Sequence, residues 1–176
     1  MLEPVVQDYI RACTELDKDA FCMQVGGPVL ISKAAKKLQT FQLAATDMHF
    51  DRDHRPKAKK ANLSHQLPVL ELRKDADGPS GQIGVGRAEE NTVVINDETV
   101  SQQHAVLFRD TRTDITMLQD LESTNGTTIN GKLLVPGRAV ELRDGDRISF
   151  GDSLFIFYTA AGLYDTLDQM INPPIE

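Results

Sequence analysis

The chain has no tryptophan, and its two cysteines, Cys13 and Cys22, both lie near the N-terminus. With no later cysteine, a disulfide framework and a Cys/His metal pattern are excluded. A bridge between these two would close only a short local loop, so reduced, packing thiols are the better reading. Long hydrophobic runs are missing as well: none approaches the roughly 18 residues of a membrane span. The chain begins with Glu3 and Asp8 rather than a basic stretch followed by an apolar one, so no secretory signal is expected and the protein is placed in the cytoplasm. Basic charge is scarce after residue 65. Residues 1–65 hold ten Lys or Arg and eight Asp or Glu, a net +2, whereas residues 66–176 hold nine and eighteen, a net −9. Such an acidic surface repels a phosphodiester backbone, so nucleic acid is disfavoured as a partner.

What remains is a globular composition, 40% hydrophobic and 26% charged over 176 residues, enough for one main domain and an appendage. Pro4 suits a first helical turn, and Val5, Val6, Tyr9, Ile10, Cys13 and Leu16 then recur on one helical face to about residue 20. Gly26-Gly27-Pro28 ends that pattern and the apolar run Val29-Leu30-Ile31 follows. The stretch carrying Leu38, Phe41 and Leu43 fits strand or helix equally. We expect a small helical accessory segment over 1–44, a polar linker over 45–65, a β-domain over 66–160, and a C-terminal helix and tail over 161–176. The linker holds His49, Asp51, Asp53 and His54, which are metal-capable types but read better as solvated side chains in a charged segment. No metal or cofactor is expected.

From Leu67 the pattern becomes short strand-like runs separated by turn residues. Candidate strands are Pro68–Arg73, Gln82–Val85, Thr92–Ile95, Ala105–Phe108, Ile115–Leu118, Thr127–Ile129, Ala139–Leu142, Arg147–Phe150 and Ser153–Tyr158, with a turn over 74–81. Their regular spacing and Asp-Gly and Asn-Gly turns indicate a mainly β fold, a sandwich of about ten to eleven short strands. Polar clusters sit between them: Gly86-Arg87, Ser101-Gln102-Gln103-His104, Ser123-Thr124-Asn125-Gly126 and Asn130-Gly131. Loop residues held by a rigid scaffold are the usual place for binding chemistry, and these clusters can converge at one end of the sheets. Gly81-x-x-Gly84-x-Gly86 is not followed by an amphipathic helix and no GK[ST] is present, so a nucleotide loop is rejected. His104 has no nucleophile beside it in sequence, which argues against catalysis.

Taken in order, Gly86-Arg87, Ser101-x-x-His104, Thr124-Asn125-Gly126, Asn130-Gly131, Asp144-Gly145-Asp146 and Phe150-Gly151 resemble a forkhead-associated (FHA) domain of bacterial type, over about residues 66–160. The resemblance implies a non-enzymatic module that binds phosphothreonine peptides in Ser/Thr kinase signalling. Its partner would be a phosphothreonine-containing protein, a kinase or a kinase substrate. By resemblance Arg87 and Ser101 hold the phosphate, Gln102 and Thr124 assist, and Asn125 bonds the peptide backbone. Gly86, His104, Gly126, Asn130 and Gly131 shape the loops. The chemistry agrees: a phosphothreonine carries about −1.5 to −2 charges and three acceptor oxygens, so its site needs a fixed cation with several neutral donors. Two positions depart from the pattern. Gln102 stands where relatives often have Arg or Asn, and Thr99 where some carry a basic side chain that reads an acidic residue three places after the phosphothreonine. With −9 on the domain, peptides without dense negative flanks are expected. The alternative is a phospho-independent scaffold whose N-terminal segment docks the partner.

Overall fold

The structure is a computed structural model, and it describes residues 4–33, 63–72, 82–110, 113 and 115–173. The metal-capable residues at 49–54, the turn expected over 74–81 and all but the last three residues of the expected linker lie outside them.

Among the described residues, eleven strands form two sheets. In chain order they are β1 (Val29–Lys33), β2 (Val69–Glu71), β3 (Gln82–Gly86), β4 (Val93–Val94), β5 (Ala105–Asp110), β6 (Ile115–Asp120), β7 (Thr127–Ile129), β8 (Lys132–Leu133), β9 (Val140–Glu141), β10 (Arg147–Phe150) and β11 (Ser153–Tyr158). One sheet runs β2-β1-β11-β10-β7-β8 and the other β4-β3-β5-β6-β9. The helices are α1 (Val6–Glu15), α2 (Lys18–Val25) and α3 (Ala160–Ile171). The β-sandwich expected from the strand pattern is thus present, with helices at both ends of the chain.

The segment expected to be helical over 1–44 holds both α1 and α2, and then a strand. β1 lies inside the six-stranded sheet, antiparallel to β11 (Leu30 opposite Phe157) and to β2 (Leu30 opposite Leu70). Burial explains its uninterrupted apolar run. Leu30 points into the core between the sheets with Ile83, Leu107, Leu118, Ile148 and Phe157. Val29 and Ile31 point the other way, into a second core with Tyr9, Phe21, Ile156, Tyr158 and Leu163 beneath the helices. A strand covered on both faces has no polar face to alternate with. β11 divides in the same way, Phe155 and Phe157 to the sandwich, Ile156 and Tyr158 to the helices.

The single helix expected to about residue 20 is two helices. Asp17 accepts a hydrogen bond from the Ala20 amide at 2.9 Å and so starts α2 as its N-cap, which breaks the helical path at Leu16. Gly26, at φ +72°, ends α2 in the left-handed conformation that glycine adopts without a Cβ penalty.

Candidate functional site

Three loops meet at one end of the sandwich: β3–β4 with Arg87, β4–β5 with Ser101 and Gln102, and β6–β7 with Thr124 and Asn125. They are tied to one another by hydrogen bonds. The Arg87 amide donates to the Ser101 carbonyl at 2.9 Å, and Arg87 Nε donates to the Val100 carbonyl at 3.3 Å. The Thr124 amide donates to Ser101 Oγ at 3.0 Å, and Asn125 Nδ2 donates to the Thr99 carbonyl at 2.8 Å. The five residues expected to bind are therefore on adjoining loops, with Arg87, Gln102, Thr124 and Asn125 exposed and Ser101 half-buried.

Each group retains capacity for a ligand. Arg87 has no acidic partner among the described residues, and with Nε engaged its two terminal nitrogens remain as a fork of donors. Ser101 Oγ accepts from Thr124, while its own proton points along a long 3.4 Å contact to Thr124 Oγ1 that a phosphate oxygen would readily replace. Asn125 keeps its carbonyl and a second N–H. A guanidinium, two hydroxyls and a carboxamide on fixed loops make a site for a compact, multiply charged anion attached to a chain.

His104 organises the loops from beneath. It is wholly buried, its Nδ1 accepts the Ser101 amide proton at 3.0 Å, and its Nε2 lies 3.2 Å from the Gly126 carbonyl. An acceptor at Nδ1 requires the proton on Nε2, so Nε2 donates to Gly126 and the ring is neutral. Burial drives its pKa below the ordinary histidine value against the opposing pull of the Gly126 carbonyl and Asp120. With both nitrogens committed to backbone groups and no exposure, His104 cannot relay protons for a ligand. Its ring also meets Phe150 edge-on, with centroids 5.6 Å apart.

Gly86 is required by a close approach. A Cβ there would collide with the Gln102 carbonyl, which Ala88 N and Asn91 Nδ2 hold at 3.1 and 2.6 Å. At Gly126 the backbone has φ +78°, and a Cβ would lie 2.5 Å from Leu133 Cδ1.

Asn130 and Gly131 are not brought to this end. They form the two-residue turn between β7 and β8 with φ of +53° and +81°, the pattern of a type I′ hairpin, at the far end of β7 from Gly126. Asn130 ties that turn to the next, donating to Asp146 Oδ1 at 2.7 Å and accepting from the Arg147 amide at 3.0 Å.

Two carboxylates that the sequence did not single out support the site. Asp97 accepts from the Thr99 amide at 2.9 Å, the Thr99 hydroxyl at 2.7 Å and the Ser153 hydroxyl at 2.6 Å, and these bonds hold its pKa below the usual carboxylate value. Thr99 Oγ1 in turn accepts from the Asp152 amide at 2.9 Å. The Thr99 side chain is thus fully occupied as a brace. Asp120 is buried and accepts from the Ser123 amide at 3.0 Å, the Ser123 hydroxyl at 2.6 Å and Thr127 Oγ1 at 2.6 Å. Burial would raise its pKa, but the Ser123 and Thr127 bonds outweigh it and the net shift is downward. The Asp97-x-Thr99 spacing is that of an Asx turn and is the signal that could have found Asp97; nothing in the sequence marked Asp120.

Among the described residues no group of three or more His, Cys, Asp or Glu is placed to hold a metal ion, and no helix is long and apolar enough to cross a membrane. Cys13 and Cys22 are not joined in a disulfide.

Comparison with known proteins gives the same frame. The family model of the FHA domain matches residues 83–151. Protein FraH of Nostoc sp. is 45% identical over 120 residues, which are 68% of this chain and 36% of FraH. The transcriptional regulatory protein EmbR of Mycobacterium tuberculosis is 36% identical over 80 residues, 46% of this chain and 20% of EmbR. The chain therefore spans a fifth to about a third of these relatives. Among solved structures, the FHA domain of the CT664 protein from Chlamydia trachomatis aligns with a TM-score of 0.49 at 17% identity, covering 74% of this chain and 95% of that one. Residues 83–151, which carry these loops, thus match the forkhead-associated (FHA) domain.

Proposed function

We propose that the three-loop site binds phosphothreonine peptides, as FHA domains do, and that the protein is a binding module and not an enzyme. Arg87 and Ser101 hold the phosphate, Thr124 and Gln102 assist, and Asn125 bonds the peptide backbone. The observation that carries this reading is the junction of the first and third loops on Ser101. Thr124 orients its hydroxyl, Val100 and Ser101 anchor Arg87, and the guanidinium fork is left without an acidic partner among the described residues. His104 and the two braced carboxylates fix the geometry before the ligand arrives, which lowers the ordering cost of binding. The partner is a phosphoprotein made by a Ser/Thr kinase, a kinase or its substrate, met in the reducing cytoplasm, where both thiols stay reduced. A micromolar dissociation constant, about −8 kcal/mol, suits a reversible switch. A pull-down with and without phosphatase treatment, comparing the protein with its Arg87→Ala variant, tests the proposal. Capture that needs both the phosphate and Arg87 supports it; equal capture of dephosphorylated partner overturns it.

A further inference from the structure

The loops that bear Arg87 and Ser101 continue side by side past the phosphate position, and the next residues along them enclose a second feature. The Ala88 amide and Asn91 Nδ2 both donate to the Gln102 carbonyl, which seams the two loops together. Against this seam lies an open depression of about 420 Å³, lined by Ala88, Glu90, Gln102 and Gln103. Its lining carries one charge, the Glu90 carboxylate, and two carboxamides whose oxygens can accept hydrogen bonds. Glu90, Gln102 and Gln103 are exposed, and Glu90 has no cationic partner among the described residues.

The surrounding charge points the same way. Arg87 is the sole Lys or Arg in the β3–β4, β4–β5 and β6–β7 loops, which also carry Glu89, Glu90, Asp97, Glu98 and Glu122. A carboxylate next to a phosphate position opposes an isolated dianion. The arrangement becomes favourable when the ligand brings its own cation to that carboxylate. Ala88 and Gln102 directly follow Arg87 and Ser101, and successive Cα atoms are about 3.8 Å apart, so the depression is within reach of a long side chain close to the phosphothreonine.

Building on the phosphothreonine reading of the site, we propose that this depression receives a lysine or arginine side chain of the phosphopeptide. It would be borne within about three residues of the phosphothreonine, with Glu90 as its counter-ion. The ligand class is then a phosphothreonine with a basic neighbour. Thr99, its side chain committed to Asp97 and Asp152, reads no acidic residue in exchange.

The test uses the full chain at low ionic strength, where exposed charge pairs are least screened. A degenerate phosphothreonine peptide library first identifies the preferred residue at each flank. Peptides with Lys, Ala or Asp at the selected position are then titrated by fluorescence anisotropy into wild type, Glu90→Gln and Glu90→Lys. The expected result is Lys over Ala by about two- to fivefold, the range of an exposed ion pair, with Asp weaker than both. The Lys-to-Ala ratio should fall to one in Glu90→Gln and invert to favour Asp in Glu90→Lys. A library without basic enrichment overturns the inference. So does a Lys preference that persists in Glu90→Gln, which would belong to the general acidic field. Enrichment of Leu or Ile instead, which the exposed Leu121, Leu133 and Val135 could contact, overturns it too. Each of those results leaves phosphothreonine binding standing. Wild type that binds no phosphothreonine peptide, or an Arg87→Ala variant that binds as well as wild type, removes the underlying reading and the inference with it.

Discussion

Replacing His104 by alanine removes a side chain that no ligand touches, yet the site depends on it. The substitution leaves the Ser101 amide and the Gly126 carbonyl without their partners. Each unsatisfied buried polar group costs about 1–3 kcal/mol. It also leaves a void against Phe150, although water can recover part of the loss because the loops above are exposed. A total of about 3–5 kcal/mol follows. At about 2–4 °C per kcal/mol for a domain of this size, the thermal midpoint falls by ~6–20 °C. Phosphopeptide affinity falls as well, since Ser101 and Gly126 lie on two different binding loops. The pH dependence gives an independent signature. The folded state holds the imidazole neutral with a pKa below the unfolded value of 6.5, so the unfolded state binds more protons as the solution is acidified. The His104 contribution to stability is therefore fully present above about pH 6.5 and is lost as pH falls toward the folded pKa. Urea denaturation from pH 7.5 to 5 should show declining stability in wild type, and a shallower decline in His104→Ala. A variant as stable as wild type at pH 7.5, with the same pH slope, would refute the bracing role.

Other substitutions have equally defined outcomes. Gly86→Ala drives a methyl into the Gln102 carbonyl and should cost about 1–3 kcal/mol in urea denaturation, with phosphopeptide binding impaired. Gly131→Ala meets open space, so only the strain of φ +81° applies, about 1 kcal/mol, and binding at the other end should be retained. Deleting residues 1–33 removes the fully buried Val29, Leu30 and Ile31 from the middle of a sheet. At about 1.5–3 kcal/mol per side chain the loss is roughly 5–9 kcal/mol, comparable to a typical total stability, and the truncated chain should show no cooperative thermal transition. Asp97 and Asp120 have folded pKa values below the usual 3.8, so their contributions persist above that pH and vanish below it. Asp120→Asn should flatten the acid limb of the stability curve measured between pH 5 and 2.

The sandwich was legible because its strands have a turn-bounded, two-residue period that local chemistry enforces; nine of the runs read from sequence coincide with strands. The Lys132–Leu133 strand was not, since two exposed residues after an Asn-Gly turn carry no apolar signal. The role of β1 was hidden for a related reason. A continuous Val-Leu-Ile run shows burial, but not that one residue faces the sandwich and two face the helices, which depends on pairing with β11 over a hundred residues away. At the site, the polar turn clusters pointed to Arg87, Ser101, Thr124 and Asn125, which the fold brings onto adjoining loops, because donors grouped at strand ends are a local pattern. Asn130-Gly131 has the same look, and its turn chemistry is real, but only the three-residue length and direction of β7 place it at the opposite end. Asp97 and Asp120 act through contacts that form only after folding, with Ser153 and Thr127, and Asp120 had no local cue at all.

The central claim is that Arg87 and its neighbours recognise phosphothreonine. Isothermal titration of one phosphothreonine peptide, its unphosphorylated form and its phosphoserine form into wild type and Arg87→Ala tests it most directly, with thermal melts to show that the variant is folded. Micromolar binding of the phosphothreonine peptide alone is expected. Arg87→Ala should lose about 2–5 kcal/mol of it, ~30-fold or more, as the phosphate is left facing no cation. Equal affinity of folded Arg87→Ala and wild type, or equal affinity for the unphosphorylated peptide, would contradict the account.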